Sequence, residues 1–180
     1  SEQLPRQAVL ITMDTESMVF LEQALPILKS LGFTATVFVA SERVGTRGAI
    51  SWDQLTQLQQ AGFTIGCRGK YGRALTRRKK GQSFKTNFVW IESELRQAKT
   101  TIEAQLGRPC QLLAYPQGKS NNLLSAMAAK LGFSAAFDRS TGDTPFFAAR
   151  FNIHRTVIDS QSPPDRFGSR LTTFVKADLN

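Results

Sequence analysis

Residues 8 to 17 read AVLITMDTES, and the fold turns on how this stretch is read. Ala8 to Met13 is an uncharged, mostly apolar run, the pattern of a strand buried on both faces, and it stops at Asp14. Working outward, Met18, Leu21, Leu25, Leu28 and Leu31 recur at helical spacing as far as Gly32, with Pro26 expected to kink or restart the helix. Thr34 to Ala40 is β-rich and predicts a second strand. Ser51 and Gln54 form a capping box for a helix holding Leu55 and Leu58 and closed by Gly62. Phe63 to Cys67 predicts a third strand. Ile91, Leu95, Ala98, Ile102 and Leu106 make the strongest helical stripe, ended by Gly107 and Pro109. Gln111 to Tyr115 follows as a strand, Asn121 caps a helix to Gly132, and Phe133–Phe137 and Phe151–Ile158 are further strand candidates. Strand and helix alternate throughout, which predicts a parallel α/β sheet or barrel. Such folds assemble their sites at the C-terminal strand ends. Asp14, Cys67-Arg68 and Tyr115-Pro116 are therefore expected to meet.

The chain has 180 residues, a length that suits one domain over 1–180 with a sizeable core. No apolar run approaches the roughly 20 residues of a membrane span. The start at Ser1-Glu2-Gln3 reads as trimmed from a longer chain, so a missing signal peptide carries no weight. Cys67 and Cys110 are expected at opposite ends of neighbouring strands, roughly 16 Å apart and too far for a disulfide.

Charge is unevenly placed. Eight basic residues and no acid lie between 68 and 85, while the other 15 basic residues nearly balance the chain's 14 acids. Arg73, Arg77, Arg78, Lys79 and Lys80 are the candidate polyanion contacts of this run. A solvated loop is the plainer reading. Tyr71, Phe84, Phe88 and Trp90 lie in or near it, so stacking on a sugar or base is open, with Phe88 and Trp90 expected to pack inward. RRKK alone makes no strong case for nucleic acid.

In the segments VLITMDTES (Val9 to Ser17), ALPILKSLGFTATVFV (Ala24 to Val39), ISWDQLTQLQQAGFTIGC (Ile50 to Cys67), LGRP (Leu106 to Pro109) and LLAYPQG (Leu112 to Gly118), the chain resembles the NodB-type polysaccharide deacetylases. It is most similar to the branch acting on poly-N-acetylglucosamine of biofilm matrices. The resemblance implies a distorted (β/α) barrel, removal of acetyl groups from amino-sugar polymers with zinc or another divalent metal, and a periplasmic or extracellular place in the bacterial envelope. Its first motif, Thr-Phe-Asp-Asp-Gly, reads Thr12-Met13-Asp14-Thr15-Glu16 here. Asp14 matches the catalytic base, and the metal-binding second aspartate is Thr15. The second motif, His-Thr/Ser-x-x-His, reads Arg68-Gly69-Lys70-Tyr71-Gly72, so both metal histidines are replaced. The third, a Tyr-Pro-Tyr-Gly turn, reads Tyr115-Pro116-Gln117-Gly118. Arg68, Tyr115 and Gln117 are the implied substrate contacts, and the Gln117 backbone N–H matches the family's oxyanion donor.

Zinc needs imidazole, thiolate or carboxylate donors. A guanidinium has no lone pair to give and repels a cation. The expectation is thus no metal cofactor and an idle Asp14. Asp14, Glu16, Cys67 and His154 are the candidates for a replacement site, with Glu16 also readable as a solvated loop acid, Cys67 as a small core residue and His154 as structural or exposed. Two placements are open for Arg68: in the vacated metal space against Asp14, or out in solvent. Three functions stay in view. One is a non-catalytic domain binding a glycan or partner protein, one an active deacetylase with an unorthodox metal site, and one a polyanion-binding module.

Overall fold

The computed structural model describes residues 9–77, 81–140, 149–158 and 168. Five parallel strands form one sheet in the order of the sequence: β1 (Thr12–Asp14), β2 (Thr36–Val39), β3 (Thr64–Cys67), β4 (Leu112–Ala114) and β5 (Ala135–Phe137). The helices between them are α1 (Leu25–Ser30), α2 (Trp52–Gln60), α3 (Phe84–Leu106) and α4 (Asn122–Lys130). A doubly wound sheet reverses its strand order at a switch point; this one never does. Successive right-handed crossovers then stack the helices on one face and curl the sheet into half of a (β/α) barrel.

Alternation along the strands separates two cores. Val37, Val39, Ile65, Cys67, Leu113 and Tyr115 face the helices, where Leu55 and Leu58 of α2 and Ile91, Leu95, Ala98 and Ile102 of α3 meet them. Phe38, Ala114 and Phe137 face the concave side. There the rings of Phe38 and Phe137 lie 5.5 Å apart, and Gly66 is what lets them in. A Cβ at position 66 would stand 2.5 Å from the Phe38 ring and 3.1 Å from the Leu112 carbonyl oxygen.

The local signals act as read. Ser51 and Gln54 close a reciprocal capping box on α2, and the Asn121 side chain accepts from the Leu124 N–H at the start of α4. Helix α3 is longer than its apolar stripe. It starts at Phe84, where the Ser83 side chain caps the Thr86 N–H, so Lys85, Phe88 and Trp90 are helical. A π-helical turn, Phe20–Ala24, precedes α1, which restarts with Pro26 in its first turn.

Two expectations are corrected. Phe151–Ile158 is not a strand of the sheet; it touches β5 through a single parallel bridge, Phe137 to Ile153. The cysteines sit closer along the sheet than five residues, because Cys67 is opposite Leu113, which leaves a three-residue offset of about 10 Å. Both thiols are buried and free. Burial pushes the Cys110 thiol up to about 12, and the Cys67 thiol is driven upward by the same cause.

Gly66→Ala is expected to lower stability by about 1–3 kcal/mol, because the new methyl would overlap the fully buried Phe38 ring. Urea unfolding measures it, and an unchanged midpoint would show that the concave core is slack.

Candidate functional site

Asp14 closes β1 on the concave side, in register with Phe38. Its carboxylate is held by Arg155, with Nη1 donating to Oδ1 at 2.6 Å and Nη2 to Oδ2 at 2.9 Å. This two-point fork is the strongest geometry available to such a pair. Arg155 also donates from Nη1 to Thr12 Oγ1 and from Nε to the Asp138 carbonyl, and its guanidinium lies over the Phe38 ring at 5.5 Å. Ile153, two residues before it, packs into the concave core. Arg155 shares that parity, so the docked segment delivers a cation to the rim.

Glu16 lies just past the strand end and is only 5 % exposed. Its Oε1 accepts the Ala40 N–H at 2.6 Å, and Arg68 Nη2 donates to both of its oxygens at 2.7 and 2.8 Å. Arg43 Nε stands farther off at 3.6 Å. Arg68 therefore neither meets Asp14 nor points to solvent. Asp14 is already spoken for by Arg155, and Glu16 is the carboxylate that reaches the end of β3. The reading of Glu16 as a solvated acid is corrected for the same reason. A buried carboxylate persists as an ion only with a partner and hydrogen bonds.

Gly72, the position of the family's second histidine, has φ +69° and lies against Arg68: a Cβ there would be 3.7 Å from the guanidinium carbon. Gly69 approaches Pro116 in the turn after β4. The three strand ends do meet, through Glu16–Arg68 and Gly69–Pro116.

In that turn Tyr115 is fully buried and its hydroxyl donates to the Phe151 carbonyl at 2.8 Å. The assignment of Tyr115 as a substrate contact is corrected: it tethers the segment that carries Arg155. Gln117 is exposed, in left-handed backbone at φ 58°. Among the described residues its N–H meets no protein acceptor, while the Gly118 N–H turns back to the Tyr115 carbonyl.

His154 Nδ1 lies 2.8 Å from Asp138 Oδ1. Asp138 is 1 % exposed and also receives the Ser140 N–H and the Ser120 hydroxyl. Burial alone would raise this carboxyl, but the bonds from His154, Ser140 and Ser120 outweigh it and hold it below the usual carboxylate range.

These residues do not fit zinc. All four carboxylate oxygens of Asp14 and Glu16 accept from guanidinium groups. Thr15, Arg68 and Gly72 supply a weak ligand, a cation and nothing. Cys67 is buried with its thiol form favoured. Among the described residues, no three His, Cys, Asp or Glu side chains converge on a common point.

The basic run is divided. Arg68 is turned inward, and Lys70 donates to Gln97 and flanks Tyr71 together with Arg73. Arg73 and Arg77 are exposed; Arg78, Lys79 and Lys80 lie outside the described residues. Arg155 and Asp138 were missed at the sequence level, although Arg155 shares the inward parity of Phe151, Ile153 and Val157 and so carried a readable signal.

Two outcomes follow. Arg68→Ala strips the buried Glu16 carboxylate of its close cation and is expected to cost about 3–5 kcal/mol, whereas Arg68→Met with Glu16→Gln costs far less; urea unfolding of both variants checks this. Because the folded-state pKa of Asp138 is depressed, the unfolded chain binds more protons in acid, so its stabilisation is present above the ordinary carboxylate range and is lost as pH falls through the folded value. The urea midpoint of Asp138→Asn should thus fall less between neutral and acidic pH than that of the native chain.

Residues 1–136 match the family model for polysaccharide deacetylase. The curated Bacillus subtilis protein YxkH, a putative polysaccharide deacetylase, is 22 % identical over 163 residues, which is 91 % of this chain and 56 % of the relative. This chain thus spans little more than half the length of that relative. Among solved structures, a de-N-acetylase from Aggregatibacter actinomycetemcomitans superposes with a TM-score of 0.83 at 16 % identity, over 94 % of this chain and 77 % of that one. A carbohydrate-esterase pseudoenzyme from Bacillus anthracis, BA3943, gives 0.57 at 18 %, over 72 % and 42 %. Among the described residues no helix is long and apolar enough to cross a membrane. The match over residues 1–136 places the chain in the polysaccharide deacetylase family.

Proposed function

We propose that this domain keeps the deacetylase fold and its glycan-facing cleft but has exchanged metal-assisted hydrolysis for binding. The observation that carries this reading is the pair of arginine–carboxylate contacts at the end of β1: Arg155 on Asp14 and Arg68 on Glu16. In a metal hydrolase that space holds a divalent ion that polarises the acyl oxygen and generates hydroxide near neutral pH. Guanidinium groups supply fixed positive charge there but bind no water as a Lewis acid does. Asp14 loses both the activated water it would deprotonate and the freedom of its oxygens, and is idle as a base.

The partner of this cleft is a polysaccharide or another cell-envelope glycan, met in the periplasm or outside the cell, as the family's chemistry suggests. The Bacillus anthracis pseudoenzyme gives loss of catalysis a precedent on this fold. A partner protein seated on the same rim is compatible with the reading; an intact hydrolytic centre is not.

Dialysis against zinc followed by metal analysis tests it. The native chain should retain far less than one zinc per molecule and release no chelator-sensitive acetate from chito-oligomers. Stoichiometric zinc, or acetate release that chelator abolishes, overturns the proposal in favour of an active deacetylase with an unorthodox site.

A further inference from the structure

Beside Asp14 and Glu16 opens a polar cleft of ≈ 320 Å³, walled on its far side by Arg43, Thr46 and Arg47. That wall is the loop from Ala40 to Ile50, and it is firmly placed. The Ile50 N–H donates to the Glu16 carbonyl, the Met18 N–H to the Gly48 carbonyl, and the Gly45 N–H to the Ile50 carbonyl. Val44 and Ile50 are buried beneath it.

The charge count of this cleft is inverted relative to a metal site. The two carboxylates of the lining, Asp14 and Glu16, are already matched by Arg155 and Arg68 from outside it, and the lining itself adds two more guanidinium groups, those of Arg43 and Arg47. Arg155 spends both terminal nitrogens on Asp14, and Arg68 satisfies Glu16 through Nη2 alone, leaving its buried Nε with no partner among the described residues. Arg43 and Arg47 are exposed, and the Arg43 guanidinium reaches Glu16 only at 3.6 Å. The neighbouring acid Glu42 is not among the residues that line the cleft. Positive charge in surplus of its partners, on a fixed loop, attracts an anion.

Two features say what kind. Thr15 Oγ1 and Ser17 Oγ accept backbone N–H groups, and each retains its hydroxyl proton to donate. Among the described residues no aromatic side chain lines the cleft, and these offer a nucleobase no stacking platform. Hydroxyl donors beside planar forks suit sugar hydroxyls and carboxylates.

We infer that this cleft binds an acidic glycan, with a uronic-acid carboxylate held by Arg43 and Arg47 and ring hydroxyls received by Thr15 and Ser17. The inference rests on the binding role proposed above and names its ligand class, which is not the neutral amino sugar of a deacetylase.

Calorimetric titration of the whole chain at low salt tests it, with oligogalacturonate, N-acetylchitohexaose and a single-stranded oligonucleotide as probes. Oligogalacturonate should bind saturably. The exchange Arg43→Ala with Arg47→Ala should weaken it at least about tenfold, while Lys29→Ala with Arg108→Ala leaves it within about twofold, since those charges lie outside the cleft. All four side chains are exposed, and thermal melting confirms that the variants fold. No oligogalacturonate binding, equal or tighter binding of either other probe, or indifference to the Arg43 and Arg47 exchange overturns the inference. Zinc uptake together with arginine-dependent oligogalacturonate binding removes the metal-free reading alone; absence of both removes only this one.

Discussion

Two carboxylates at the end of one short strand cannot stay charged in a half-closed cleft without positive charge beside them, and the rest of the site is organised around that need. Asp14 is answered by Arg155 from the segment docked beside β5, and Glu16 by Arg68 from the end of β3. The energetic asymmetry of such pairs matters more than their net worth. An ion pair of this kind adds little over a well-packed apolar pair, yet losing one partner strands a charge. Each arginine is therefore held in place by its carboxylate as firmly as the reverse.

The architecture gives these arginines their place. Strands laid down in sequence order curl the sheet, and the concave face is filled by Phe38 and Phe137 over the gap left by Gly66. Arg155 lies across that aromatic floor. A guanidinium tolerates such a surface because its faces are weakly hydrated and attracted to π-density. The rim above that floor is thus a plane of fixed donors.

Much of the fold was legible because its signals are local. The uncharged run ending at Asp14, the box of Ser51 and Gln54 and the cap at Asn121 each depend on neighbours in sequence, and each took the expected form. Pairings across the sheet were not legible. The sequence leaves Arg68 between Asp14 and solvent, because Asp14 and Glu16 are two residues apart and their choice depends on where Arg155 arrives. Tyr115 illustrates the converse error: a residue in a functional motif serves as a buried tether once its hydroxyl finds the Phe151 carbonyl. The Phe151–Ile158 stretch has strand chemistry but meets β5 at only one residue, since Arg155 and His154 are drawn to Asp14 and Asp138.

The contact between Arg155 and Asp14 spans 141 positions of the chain. On a chain synthesised from its N-terminus, the aspartate emerges 141 residues before its counter-charge. A bound ion would have been available at any moment; an encoded one arrives only when the segment carrying Arg155 docks. Closing so long a loop is entropically slow, so the cleft acquires its final electrostatic character as one of the latest events of folding, and a chain cut short before residue 155 would carry the first half of the site without the second.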